Sequence, residues 1–512
     1  MKEAKANPRD NYLVIVPEQF TMQTQRQLVD LSENKAIMNI DVLSFKRLAY
    51  RVFDELGITN LTVLEETGKN LVLRKLAAQE ADKLGVIGRN LNRIGYISEV
   101  KSLLSELVQY NISPEELGRY IASGMLSDTL SDKLKDVLVL YEAFEKFMQD
   151  KYITAEEILN VLSNVAEESA ILRNSVIAFD EFTGFTPIQN QLIKKLFVIS
   201  KKIYVTLTID CREDIFKSRG MQELFDMPKR TVKSLTEMAA FYGIEVEEPI
   251  ILDKNYRLAE NEELSFMEQQ LFRKRRCSFK KAPKHIHIDC LRDPKQELTK
   301  IARRINELVR NENLRYRDIA IVTGDVNIYA GYVREIFDKY NIPYFIDATQ
   351  EILFHPFIEF IRSIPDIAAQ NFSADAVFRF LRCGFSELLD SEIDVLENYV
   401  LACGVRGKSA WDKKWVRLPK HKAGYDIELL NQSREYIMEL LKPVYQVFSD
   451  KKSTVKDYVL AIYKLIVLLD IPDKLAKKEQ ALLDAGDQTA SKEYGQIYKI
   501  VMQLFEKYVA VL

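Results

Sequence analysis

Val176-Ile177-Ala178-Phe179 runs directly into Asp180-Glu181. An apolar run that closes on two acids puts carboxylates at the end of a buried strand. There the first can hold Mg²⁺ through water, and the second can orient an attacking water. In a parallel sheet, the carboxyl end of such a strand faces the ligand crevice. The same residues also suit an ordinary strand-to-loop turn with its acids in solvent. Three other groups could do chemistry. Ala402-Cys403-Gly404-Val405-Arg406-Gly407-Lys408-Ser409 loosely resembles a phosphate-cradling glycine loop, but it follows a predicted helix, Glu392 to Leu401, where the cradle needs a strand. His285 and His287 alternate along a predicted strand and share a face, while Cys290 has the opposite parity, so a third metal ligand is missing. Arg273-Lys274-Arg275-Arg276, with Lys280, Lys281 and Lys284, can touch phosphates or form a solvated linker.

The elements that must position these groups are legible from hydrophobic pattern. Tyr12-Leu13-Val14-Ile15-Val16 is a continuous apolar run closed by Pro17, as in a parallel strand buried on both faces. A helix is expected over Thr21 to Leu31, a strand at Ile40 to Leu43, and a helix over Phe45 to Leu56 that Gly57 stops. Residues 61–171 read as helical without strand signal. Ser113-Pro114-Glu115-Glu116 opens one helix, and Thr154-Ala155-Glu156-Glu157 is patterned as a capping box. Strands return at Ser175 to Phe179 and Ile203 to Ile209, with a helix from Ile188 to Leu196 between them. A second α/β core is expected from His285 to Ile288, Ile319 to Val322 and Ile342 to Ile346, alternating with helices over Pro294 to Val309 and Ala330 to Tyr340. Beyond about residue 370 the pattern is helical. A buried-type strand starts close to Met1, and Tyr498 to Leu512 runs as uncapped helix, so both ends read as cut from something longer.

Composition sets the outer bounds. The chain has 512 residues, 47% hydrophobic and 29% charged, which supports folded domains rather than disorder. Lys+Arg 72 against Asp+Glu 75 leaves a net charge of −3, so a nucleic-acid surface must be local. Five cysteines without CxxC spacing point away from a disulfide scaffold and towards a reducing, cytoplasmic compartment. The polar start carries no signal-peptide pattern, and no apolar run is long enough to span a membrane.

Asp180-Glu181-Phe182 followed by Thr186-Pro187-Ile188-Gln189 resembles motif II, the Walker B segment, of UvrD-like superfamily 1 helicases. Val14-Ile15-Val16-Pro17-Glu18-Gln19-Phe20-Thr21 and Val42-Leu43-Ser44-Phe45-Lys46-Arg47-Leu48-Ala49-Tyr50-Arg51-Val52 fall where motifs Ia and Ib belong. With Leu314-Arg315-Tyr316-Arg317-Asp318-Ile319-Ala320-Ile321-Val322-Thr323-Gly324-Asp325, Ile342-Pro343-Tyr344-Phe345-Ile346-Asp347 and His355-Pro356-Phe357-Ile358-Glu359-Phe360-Ile361-Arg362-Ser363, the series is similar to the front half of the AddB family. Members of that family are one of the two subunits of bacterial ATP-dependent helicase/nucleases that process double-strand breaks. The resemblance implies an α/β fold of two RecA-like parallel-sheet domains with large all-helical insertions. Residues 1–60 and 172–280 would form the first domain and 61–171 its insertion. Residues 281–370 would form part of the second, and 371–512 a further helical insertion.

The departures from the family shape the functional expectation. No glycine precedes Tyr12, so no P-loop leads the first strand. Thr208-Ile209-Asp210-Cys211-Arg212-Glu213-Asp214 lacks the Gln of motif III, and Thr323-Gly324-Asp325 stands where motif IV presents an Arg. The family usually has Gly after the motif II Asp, where this chain has Glu181. Asp180 and Glu181 therefore read as a degenerate Walker B with no catalytic role and no resident metal. The family's ATP, Mg²⁺ and 4Fe-4S sites depend on segments outside this chain. What the resemblance leaves is recognition of the Chi recombination signal in single-stranded DNA. Its contact positions map onto Gln19, Thr21, Phe45, Arg47, Tyr50 and Phe182. Gln can pair with a base edge, aromatic rings stack on unpaired bases, and Arg pairs with phosphate or guanine. Phe45 and Tyr50 also fit a helix core, since Phe45, Leu48, Ala49 and Val52 form one stripe. The implied partners are the AddA helicase/nuclease and single-stranded or broken double-stranded DNA. An active UvrD-type motor and a non-enzymatic scaffold are the alternatives.

Overall fold

The structure is a computed structural model that describes residues 1–59, 62–90, 95–149, 152–272, 277–346, 351–419 and 425–511, and of Arg89 the backbone only. The basic run 273–276 and Asp347 of the Ile342 segment lie outside the described residues. The chain forms two compact units, Met1–Arg257 with Ala510–Leu512, and Leu258–Val509.

The first unit is built on a parallel sheet of four strands, β1 (Asn11–Ile15), β2 (Ile40–Leu43), β5 (Ser175–Phe179) and β6 (Lys202–Val205), in the order β2-β1-β5-β6. Leu13, Ile15, Ile177 and Phe179 point to one face, as period-2 alternation requires. The helices Phe45–Leu56, Ile158–Val165 and Pro187–Ile199 cover that face with Leu48, Ala49, Val52, Leu162, Leu192 and Ile193, all fully buried. Ser44 caps the Phe45–Leu56 helix, and Gly57 ends it at φ 69°, a left-handed turn that costs glycine nothing. Strand β6 stops at Val205, well short of Ile209.

Between residues 66 and 148 the described residues form the helices Glu66–Gln79, Tyr96–Gln109, Pro114–Ala122 and Asp128–Met148, in line with the helical pattern. Ser113 opens its helix as read and also makes a capping box: its hydroxyl accepts from Glu116 N, and the Glu116 carboxylate accepts from Ser113 N. Two features differ from the pattern. A two-residue parallel ladder joins β3 (Val63–Leu64) to β4 (Ile153–Thr154), too short to leave a sequence signal. Thr154 and Glu157 do cap each other's amides, at 2.6 and 3.2 Å, but the helix they precede begins only at Ile158.

The second unit carries a large helical core in which Phe357, Phe360, Phe380, Tyr399 and Trp411 are buried. Its helices are Pro356–Ala369, Ala374–Leu381, Asp390–Cys403, Ile427–Ser449, Val455–Leu468, Ile471–Asp484 and Gln488–Val511. The helices Pro294–Asn311 and Val326–Lys339 pack together through Leu298, Ala302, Ile305, Val333, Ile336 and Phe337. The strands expected beside them do not form a ladder among the described residues. His285 to Ile288, Ile319 to Val322 and Ile342 to Ile346 form no strand and pair with none. One physical reason is visible: the Glu263 carboxylate accepts the backbone N–H groups of Lys284, His285 and Ile286 at 2.9–3.0 Å, so these donors are spent on a side chain. Burial pushes the Glu263 carboxyl up, but the three amides outweigh it and hold the pKa below the ordinary value. Among the described residues no helix is long and apolar enough to cross a membrane, and all five cysteines are free thiols.

Candidate nucleic-acid interface

Parallel strands in register must release their loops at one edge. Ile15 lies opposite both Leu43 and Phe179, and Phe179 lies opposite Val205. The ladder continues one step further, with Val16 N donating to Leu43 O, Asp180 N to Ile15 O and Thr206 N to Phe179 O, at 2.9–3.0 Å. The loop that starts at Val16 therefore sits between the loop that starts at Ser44 and the one that starts at Asp180. These three loops carry the motif positions read from sequence.

The side chains there divide into two sets. Gln19, Arg47 and Tyr50 are exposed. Phe182 is half-buried. Thr21 and Phe45 are only 5% and 7% exposed. The Thr21 hydroxyl donates to Glu18 O at 3.0 Å, which turns the chain into the Thr21–Leu31 helix. Phe45 stacks on Phe179 at 5.8 Å and meets Phe182 and Phe185 edge-on at 5.6 and 6.4 Å. Phe45 is thus a core residue, as its stripe with Leu48, Ala49 and Val52 allowed. Phe182 belongs to the same cluster, with Phe185 at 5.1 Å.

Sequence reading missed the residue that ties the first two loops together. Glu18 accepts Arg47 Nε at 2.9 Å and also takes the Ser44 hydroxyl. Ser44 in turn caps Arg47 N at 3.3 Å. The Ser44 hydrogen bond holds the Glu18 carboxyl below its ordinary range; burial opposes it, and Arg47 adds to the lowering. Ser44 was findable as an N-cap before an amphipathic helix, but nothing local to Glu18 announces its partners 26 and 29 residues away. Met22 is 81% exposed beside Thr21, an apolar group left at this edge that no motif pointed to.

The two acids are placed at the same edge but are differently engaged. The Thr206 hydroxyl donates to the Asp180 carboxylate. Glu181 is exposed and held at φ 64°. That left-handed conformation costs an L-residue about 1–2 kcal/mol, while glycine's extra freedom in the unfolded chain costs about 0.5–1 kcal/mol. Glu181→Gly is therefore expected to stabilise the first unit by about 0.5–1 kcal/mol, read as a Tm rise of about 2 °C. An unchanged or lowered Tm would show that the Glu181 side chain contributes something its exposure hides.

The remaining candidates do not assemble into sites. Lys408 of the glycine-rich loop pairs with Asp412 at 2.7 Å and lies over the Tyr445 ring. The segment follows the Asp390–Cys403 helix, not a strand. His285, His287 and Cys290 are all exposed. No group of three His, Cys, Asp or Glu that could hold a metal ion occurs among the described residues. Lys281 pairs with Glu262.

A parallel sheet with helices packed on it and charged and polar loops gathered at its carboxyl edge defines an α/β protein of the class that meets its ligands at that edge. The family described as ADDB, N-terminal matches residues 1–268, and the chain belongs to it. It is 38% identical over 515 residues to a protein of Lachnoclostridium phytofermentans named as the B-type subunit of an ATP-dependent helicase/deoxyribonuclease, covering 99% of this chain and 45% of that one. Proteins of the same name from Caldanaerobacter subterraneus and Clostridium acetobutylicum are 33% and 31% identical, over 98% of this chain and 44% of theirs. The chain thus spans somewhat less than half the length of these curated relatives.

Proposed function

We propose that this chain is the helicase-like part of an AddB-type protein that works with an AddA-type partner at broken DNA ends. Its sheet edge binds single-stranded DNA and reads the Chi signal there, and its own motor is inactive. It acts in the cytoplasm, and Asp180 and Glu181 hold no metal in it. The observation that carries the reading is the placement of Arg47, in the first turn of the Phe45–Leu56 helix after β2, against Glu18, the neighbour of Gln19, just after the adjacent β1. This gives a strand one exposed cation, one exposed amide and, with Tyr50, one exposed ring to meet. Of the six positions implied by resemblance, Gln19, Arg47 and Tyr50 are offered as contacts. Thr21 and Phe45 act by shaping the edge. Phe182 lies between the two roles.

The test is fluorescence anisotropy with a labelled single-stranded 20-mer across a salt series. Arg47→Ala is expected to weaken binding about five- to tenfold and to lower the salt slope by about one. Absence of any salt-sensitive binding by the unaltered chain would refute the DNA-reading role and favour a protein scaffold. Tight ATP binding would refute the inactive motor.

A further inference from the structure

The guanidinium of Arg47 has no other partner than Glu18 among the described residues. The contact is made through Nε, which leaves the two Nη groups for an incoming acceptor. Glu18 itself is fixed from the other side by the Ser44 hydroxyl, and Ser44 caps the first turn of the helix that carries Arg47. A closed triangle results: the Val16 loop grips the start of the neighbouring helix and orients its exposed arginine. Both ionic side chains are 57% exposed, so the pair contributes little to folding. Its geometry is better explained by what it does to Arg47. A free arginine loses several rotatable bonds when it binds; one already held by Nε loses fewer.

We infer that Glu18 is the positioning residue of this edge, holding Arg47 by Nε so that its Nη groups meet single-stranded DNA in a fixed orientation. The inference rests on the strand-binding reading above. An opposing electrostatic effect exists, since a carboxylate near the strand repels phosphate. Glu18 and Arg47 together are neutral, so the attraction lost to Glu18 is at most that of one phosphate contact. The sign of the Glu18→Ala effect therefore decides between positioning and repulsion.

The experiment compares Glu18→Ala, Glu18→Gln, Arg47→Ala and the Glu18→Ala/Arg47→Ala double variant, using the full chain and labelled (dT)20. Circular dichroism and Tm confirm folding of each. Glu18→Ala is expected to weaken binding about three- to tenfold, the equivalent of ordering one long side chain. Glu18→Gln keeps an oxygen for Arg47 Nε and is expected to restore most of the affinity. In the Arg47→Ala background, Glu18→Ala should have no further effect. Tighter binding by Glu18→Ala, or an undiminished effect in the Arg47→Ala background, would overturn the positioning role. If Arg47→Ala weakens binding and Glu18→Ala does not, the positioning role falls while strand binding stands. If the unaltered chain does not bind (dT)20, both fall together.

Discussion

Lys69→Ala is expected to destabilise the first unit by about 3–5 kcal/mol, the cost of leaving a buried carboxylate without its counter-charge. The Lys69 side chain is 3% exposed, and its ammonium contacts Glu156 at 2.6 and 2.9 Å, Glu66 at 3.0 Å and Ser105 at 3.3 Å. Glu156 is itself only 11% exposed, so water cannot replace the lost cation. Glu66 is 60% exposed and is also bound by Lys101, which holds its carboxyl below the ordinary range, so it tolerates the loss better. Against a typical total stability of about 5–15 kcal/mol, the change is large. A drop in Tm of about 10 °C should be measured by calorimetry. The paired replacement Lys69→Met with Glu156→Leu should recover most of it, because removing both charges also removes their desolvation. A Tm that stays put in Lys69→Ala, or a double variant worse than the single, would contradict this account.

Asp136→Ala is expected to cost about 2–4 kcal/mol, for a different reason. The Asp136 carboxylate is 5% exposed and accepts Gly85 N at 3.0 Å, Val86 N at 2.8 Å and Ile87 N at 2.7 Å. Three consecutive backbone donors would lose their acceptor; Ile87 N is buried and bears the full cost of an unmet group, about 1–3 kcal/mol, while Val86 N is half-buried and Gly85 N, in an exposed residue, can turn to water. Asp136→Asn keeps one oxygen but turns an NH₂ towards the donors, so about half the loss is expected. Hydrogen exchange provides the specific readout: the amides of Gly85, Val86 and Ile87 should lose protection together, while those of β1 and β5 should not. Uniform loss of protection across the unit would mean that Asp136 supports the whole core rather than this loop.

How far the sequence discloses the structure depends on where the determining contacts lie. The first sheet is legible because its strands are continuous apolar runs of residues such as Leu13-Val14-Ile15 and Val176-Ile177, and because the helices between them carry single stripes. The edge follows directly, since parallel strands in register leave no other place for their loops. The character of the edge is only half legible. Motif resemblance treats Phe45 and Arg47 alike, although two positions along a helix turns a side chain from core to solvent. Here Phe45 is 7% exposed and Arg47 projects outward. The Glu18–Ser44–Arg47 triangle is invisible locally because its members come from the loop after β1 and the helix start after β2. The second sheet misleads for the opposite reason. Ile319-Ala320-Ile321-Val322 has the composition of a buried strand, yet Val322 is 93% exposed. Pattern reports what a segment suits, and pairing also needs a neighbour with free donors.

The short ladder between β3 and β4 bears on how this protein is put together. Val63 lies opposite Ile153, and Leu64 opposite Thr154, so the chain leaves and re-enters within about one strand spacing of 4.8 Å. The helices Glu66–Gln79, Tyr96–Gln109, Pro114–Ala122 and Asp128–Met148 lie between the two strands of that ladder in the sequence, and Lys69 adds an ion pair to Glu156 just past it. A pull or twist on these helices would reach the sheet through this short ladder and through the Lys69–Glu156 pair beside it.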